Sequence, residues 1–178
     1  MVHTYTRRTL LAGVSTVSLA GCVGLFGDGP AITDAHLGDP VDATTVDMTS
    51  RGGDRFDPTL VHITTGGTVT WELQSGVHDS VAYHVENELP TRMPEEATPW
   101  NSGLMSTSGE THVVTFETEG IYDYVCTPHE HVGMVGRVVV GMPSLDNQPA
   151  LAGDASPLPR DAQRVLGELN QRVEDALG

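Results

Sequence analysis

The sequence predicts an all-β fold: a Greek-key β-sandwich with an extra C-terminal α-helix. Three observations point there. Between residues 41 and 141, apolar residues fall in short segments, several of them alternating as in half-buried strands. Glycines and prolines punctuate those segments, as they do in sandwiches and barrels. A helical period appears only near the end, where Val165, Leu169, Val173 and Leu177 recur every four residues.

The elements follow in chain order. Arg7 and Arg8 precede an apolar run from Leu10 to Ala20, which ends in Leu19-Ala20-Gly21-Cys22. This resembles a twin-arginine export signal closed by a lipoprotein cleavage box. Residues 1–21 are then a signal peptide and Cys22 is the lipidated residue. The alternatives are an uncleaved anchor, or an ordinary signal with an incidental cysteine. The run is shorter than the roughly 20 apolar residues of a membrane-spanning helix. Residues 22–40, rich in Gly, Asp and Pro, read as a flexible tether. A chain so processed is exported and held by lipid at the extracellular face of the cell membrane.

Residues 41–142 read as the domain. "VDATTVDM" (41–48) is a first strand, with Val46 and Met48 on one face. "DPTLVHITTGGTVTWEL" (57–73) reads as strand, Gly66-Gly67 turn, strand. "VHDSVAYHV" (77–85) is a further extended run, and residues 86–103, with Pro90, Pro94 and Pro99, are a long loop. "ETHVVTFET" (110–118), "IYDYVC" (121–126) and "VGRVVVG" (135–141) complete the strands. Residues 143–159 are a linker, and 160–178 form the amphipathic helix, in which Glu168 can pair with Arg172. That helix packs on the domain or at a dimer contact; it lacks the basic polar face of a membrane-surface helix.

The net charge is −15, from 24 acids and 9 bases, and all nine bases are arginines. Loss of residues 1–21 removes two of those arginines and takes the charge to −17. Such a surface argues against nucleic-acid binding, which needs cationic contacts. Acidic and lysine-free, it has the look of adaptation to high salt, as in halophilic archaea; an ordinary acidic soluble protein is the alternative. Of two cysteines, Cys22 is assigned to lipid, which leaves Cys126 without a disulfide partner. Metal ligation accounts for such a thiol.

"CTPHEHVGM" (126–134) holds one thiol, two imidazoles and one thioether in nine residues. A thiolate and two imidazoles in a plane, with a weak axial methionine, form the ligand set of type 1 copper. A second histidine must come from elsewhere. His3 lies in the signal and His36 in the tether, while His62 and His112 read as half-exposed residues on alternating strands. His78 and His84 remain. On a straight strand they stand roughly 20 Å apart, so one metal takes only one of them. His78, at the start of its run, is preferred.

At this point the chain resembles the cupredoxins, and among them the small plastocyanin-like and halocyanin-like blue copper proteins of haloarchaea. "FDPTLVHITTGGTVTWEL" resembles the family's paired strands before the first ligand, "GVHDSVAYH" its first-histidine segment, and "GIYDYVCTPHEHVGMVGRVVV" its cysteine loop between the last two strands. The resemblance covers about residues 45–141. Plastocyanin-like loops read Cys-x2-His-x4-Met, which selects Cys126, His129 and Met134. Azurin-like loops read Cys-x4-His-x3-Met, which would use His131 and demand methionine where Val135 stands. The implied copper ligands are therefore His78, Cys126, His129 and Met134, with His131 beside the site. One departure is Asp79, at a position often occupied by asparagine in plastocyanin-like proteins.

The resemblance implies a one-electron carrier with a single type 1 copper cycling between Cu(I) and Cu(II), not an enzyme. Its partners would be donor and acceptor proteins of a membrane electron-transport chain, with no small-molecule substrate. Copper storage or delivery, or a place as a copper-binding subunit in a larger respiratory complex, is the alternative. Zinc suits a Cys-His₂ set but takes methionine poorly. A multicopper enzyme would need more His-x-His pairs than His129–His131 supplies.

Overall fold

The computed structural model describes residues 37–178. The signal peptide, Cys22, His3, His36 and most of the tether lie outside the described residues. Seven strands form one mixed sheet: β1 (Val41–Thr49), β2 (Arg55–Asp57), β3 (Leu60–Leu73), β4 (Val81–Ala82), β5 (Thr111–Phe116), β6 (Gly120–Val125) and β7 (Val135–Val140). They run in the order β2-β1-β3-β7-β6-β4, with β5 also paired to β3. Two helices follow, α1 (Pro149–Ala152) and α2 (Arg160–Leu177).

β3 organises the fold. Residues 57–73 are not a hairpin, as the Gly66-Gly67 pair suggests, because Leu60–Leu73 is one strand with two sets of neighbours. Leu60–Ile63 run parallel to β7, while Gly67–Glu72 pair antiparallel with β5. On β1 the partner of Val41 is Ile63, yet Ala43 already pairs with Thr68. The extra β3 residues bulge out there, and Gly66 takes φ +84° to allow it. A Cβ on Gly67 would stand 2.7 Å from the Thr64 carbonyl oxygen.

The two halves of the sheet enclose one interior. Val46, Met48, Val69, Trp71 and Leu73 meet Phe116, Tyr122, Tyr124 and Val138 there. Trp71 on β3 packs edge-on against Tyr124 on β6 at 5.1 Å, and stacks on Trp100 at 5.3 Å. A second core lies on the outer side of β6 and β7. Ile121, Val125, Val135 and Val139 face Ala162, Val165, Leu166, Leu169 and Val173 of α2. Both strands are thus buried on both faces, so their sequences run nearly continuously apolar. α2 packs on the domain, through the stripe its four-residue period marked.

Two charged residues interrupt that outer layer. Asp123 on β6 and Arg137 on β7 are register partners and fully buried. Arg137 Nε donates to Asp123 Oδ1 at 2.7 Å, and Arg92 Nε donates to Oδ2 at 2.9 Å. The arginines also hold the C-terminal segment. Arg137 donates to Asn170 Oδ1 of α2, and Arg92 to the carbonyls of Ala150 and Gly153. The stretch read as a linker therefore includes the helical turn α1, with Ala150 buried against the domain.

Candidate metal centre

The site forms at one end of the sheet. β4 pairs with β6 through Val81↔Val125 and Ala82↔Tyr124, which brings residues 78–80 beside Cys126. His78 is fixed there by reciprocal backbone hydrogen bonds with Met105, 3.1 Å from its own N–H and 2.8 Å to its carbonyl. Cys126 follows directly on β6, and its N–H donates to the Met134 carbonyl at 3.0 Å. Between them Thr127–Val132 form a 3-10 turn begun by Pro128 and closed by Gly133 at φ +84°. The Met134 N–H returns to the His129 carbonyl at 3.1 Å. The loop is thus closed on itself by main-chain bonds that involve no ligand atom.

His78, Cys126 and His129 converge. His78 Nδ1 and His129 Nδ1 are 3.1 Å apart, and Cys126 Sγ lies 3.5 Å and 3.3 Å from them. A point equidistant from three atoms so spaced is about 1.9 Å from each, close to the bond lengths of about 2.0–2.3 Å that imidazole and thiolate form with such metals. Cys126 and His78 are fully buried, while the His129 side chain keeps 24% exposure. Met134 is buried in the core cluster that contains Cys126. His131 is exposed, and His84 caps a 3-10 turn by accepting the Glu86 N–H.

The electrostatics follow from burial. Burial pushes the Cys126 thiol up to about 12, although backbone N–H groups near the sulfur, first that of Asp79, oppose it. His78 is held below its ordinary value of 6.5, mainly by burial and secondarily by His129. One buried and one partly buried thiol-imidazole contact with metal-ligand spacing, and a neutral, inward Nδ1 on His78, fit a soft metal ion.

Neighbouring side chains brace the loop. Asp79 accepts from the Thr127 N–H at 2.6 Å and from the Thr127 hydroxyl, tying the first-histidine segment to the residue after Cys126. Ser80 Oγ accepts the Trp100 Nε1–H at 3.0 Å. Tyr83 donates to Glu130 Oε1 at 2.8 Å. α2 backs Gly133 so closely that a Cβ there would meet the Asp161 carbonyl oxygen at 3.1 Å.

Of the two histidines read as half-exposed, His62 departs from what alternation suggests and His112 does not. His62 is buried, not half-exposed, with its ring between the carbonyls of Gly38 and Gly141. His112 is half-buried beside Trp71, and its Nε2 has no partner among the described residues. No local pattern marks Ser50 or Asp54, which lie against the outer edges of His78 and His129. They sit in a glycine-rich turn about 25 residues before His78, and only the β1–β2 connection brings them back.

A mostly β sandwich with a His-Cys-His cluster at the end of its last two strands defines a cupredoxin-type metal centre. Residues 44–141 match the family of copper binding proteins described as the plastocyanin/azurin family. The chain belongs to that family. Halocyanin of Natronomonas pharaonis is 38% identical over 109 residues, 61% of each chain. Chloroplastic plastocyanin of Tetradesmus obliquus is 29% identical over 136 residues, 76% of this chain and 89% of that one. Among solved structures, pseudoazurin from Methylobacterium extorquens AM1 superposes with a TM-score of 0.59 at 26% identity, covering 74% of this chain and 99% of that one. Pseudoazurin from Hyphomicrobium denitrificans gives 0.54 at 26% identity, over 72% and 97%. The family is one of copper proteins, and His78, Cys126 and His129 form a His-Cys-His cluster that could hold a metal ion.

Proposed function

We propose that the protein is a one-electron carrier in which His78, Cys126, His129 and Met134 would hold a single copper. The convergence of two Nδ1 atoms and one Sγ within 3.5 Å carries this reading. Bound there, copper supplies a one-electron Cu(I)/Cu(II) couple through a thiolate. The chain's part is to keep the donor atoms in place in both states. Cys126 and His78 are held by ladder and bridge hydrogen bonds, and His129 by its loop. Burial excludes water from the sulfur, and the partly exposed His129 edge offers the way out for an electron.

The reading extends to the cell. Export through the twin-arginine signal and lipidation of Cys22 would tether the domain at the outer membrane face. Residues 22–40 would be the leash. The surface charge suits high salt, in which long-range steering toward partners is screened. Donor and acceptor proteins of a membrane electron-transport chain would meet the His129 edge.

The absorption spectrum of the Cu(II)-loaded protein tests the centre. A strong thiolate-to-copper band in the visible, lost in Cys126→Ser, is expected, and a colourless complex would refute the reading. His129→Ala removes the colour and His131→Ala keeps it; the reverse would overturn the loop register. Metabolic lipid labelling of the exported chain, abolished in Cys22→Ala, tests the anchor.

A further inference from the structure

Both histidines turn Nδ1 inward, so each presents Nε2 outward, and the outer edges meet one carboxylate. Asp54 Oδ1 stands 3.9 Å from His78 Nε2, and Oδ2 stands 3.6 Å from His129 Nε2. These are ion-pair distances, longer than hydrogen bonds. The hydrogen-bonded route to His78 runs through Ser50. Its Oγ lies 3.1 Å from His78 Nε2 and donates to Asp54 Oδ1 at 2.6 Å. The polarity of that relay is fixed at its far end, because an ionised carboxylate only accepts. The Ser50 proton therefore goes to Asp54, and the Ser50 oxygen is left to accept from His78. This places the His78 proton on Nε2 and leaves Nδ1 with its lone pair toward the sulfur.

The backbone makes room for the relay. Gly76 has φ +90°, and a Cβ on it would collide with the Ser50 hydroxyl and stand 2.7 Å from His78 Nε2. Gly52 and Gly53, both at positive φ, turn the chain so that Asp54 faces back over the rings. Arg55, next in sequence, does not neutralise this acid. Its guanidinium reaches the carbonyls of Arg51 and Gly53 and the Asp57 carboxylate.

We propose that Asp54 is a positioning residue of the metal centre. Through Ser50 its carboxylate fixes the tautomer and orientation of His78, at ion-pair distance its charge acts on His129, and both effects favour the more positive state of a bound metal. The inference rests on the copper reading of His78, Cys126 and His129. Carboxylates behind metal-bound histidines raise ligand basicity in this way. Here one carboxylate serves two histidines, and it lies on the side where the half-exposed His129 would meet a redox partner.

The experiment compares copper-loaded wild type with Asp54→Asn and Ser50→Ala, and with Glu117→Gln, which removes an equal charge at the opposite end of the sheet. Midpoint potential is read by redox titration, and Cu(II) and Cu(I) affinities by chelator competition. Asp54→Asn is expected to raise the potential and to weaken Cu(II) several-fold more than Cu(I). Ser50→Ala should do the same to a smaller extent, and Glu117→Gln should do neither. A retained visible band with potential and affinity ratio unchanged in Asp54→Asn would overturn this inference alone. An equal shift in Glu117→Gln would also overturn it, reducing the effect to net charge. A wild type without the visible band would remove the copper reading beneath it. Should Asp54→Asn fail to fold, Ser50→Ala decides the matter by the same two readouts.

Discussion

Asp123→Ala tests whether the buried charges on β6 and β7 hold the outer core together. Asp123 is the shared acceptor of Arg92 Nε and of Arg137 Nε and Nη2, at 2.9, 2.7 and 3.0 Å, with all three side chains buried. Removing it leaves two guanidinium groups without their counter-charge, and Arg137 Nη1 already lacks a partner among the described residues. Breaking a buried pair from one side costs about 3–5 kcal/mol. A domain of this size has about 5–15 kcal/mol in all. With a urea slope of about 2 kcal/mol per molar, the unfolding midpoint should fall by about 2 M. The charges are out of water, so molar salt should not restore the loss, whereas it would screen a surface pair. The assay is urea unfolding followed by fluorescence, at low and at high salt. A loss under about 1 kcal/mol, or one that molar salt abolishes, would refute the reasoning.

Three further outcomes follow from the centre. Gly76→Ala forces a side chain into positive φ and into Ser50, so it should cost about 2–4 kcal/mol and shift the visible band; wild-type stability with an unaltered spectrum would contradict the packing. Because burial lifts the Cys126 thiol from 9.0 to about 12, a metal that takes the thiolate must displace its proton across the neutral and alkaline range. Zinc affinity of the metal-free protein should therefore keep rising about tenfold per pH unit beyond pH 9, where an ordinary thiol would level off. His78, already neutral above its ordinary value of 6.5, adds nothing to that slope. Asp79→Asn removes an acid whose carboxylate is spent on Thr127 beside Cys126; the midpoint potential should rise by tens of millivolts, and an unchanged or lower value in redox titration would count against an electrostatic role.

The loop from Cys126 to Met134 was legible because its chemistry is contiguous: a thiol, an imidazole and a thioether at fixed spacing between two apolar strands. His78 was legible by a weaker route, since the pairing of β4 with β6 decides it and no local pattern shows that pairing. The Gly66-Gly67 turn misled because two glycines carry the same local signal for a hairpin and for a bulge. Only the long-range partners, β7 for one half of β3 and β5 for the other, separate the two. The buried His62 misled for a related reason, as alternation assigns a face but not what later covers it. Asp123 and Arg137 left a usable trace: opposite charges set singly into two otherwise apolar strands that flank one loop. Asp54 left none, because a glycine-rich turn with one acid looks the same whether or not it folds back over a metal site.

The two cores explain why this arrangement suits a centre whose charge changes by one. The inner core fixes where β6 ends and so where Cys126 stands; the outer core fixes α2, which backs Gly133 in the loop. The loop is then pinned from three directions that do not involve the donor atoms: Thr127 by Asp79, Glu130 by Tyr83, and Gly133 by Asp161. A rise or fall of one charge at the donors pulls on ring nitrogens and sulfur, but each is attached to backbone already committed elsewhere. The displacement available to them is that of side-chain torsions alone, and Ser50, held by Asp54, restrains the torsions of His78. Placement of the donors is therefore a property of the sandwich and its C-terminal helix, while the electrostatic setting belongs to the few acids at its rim.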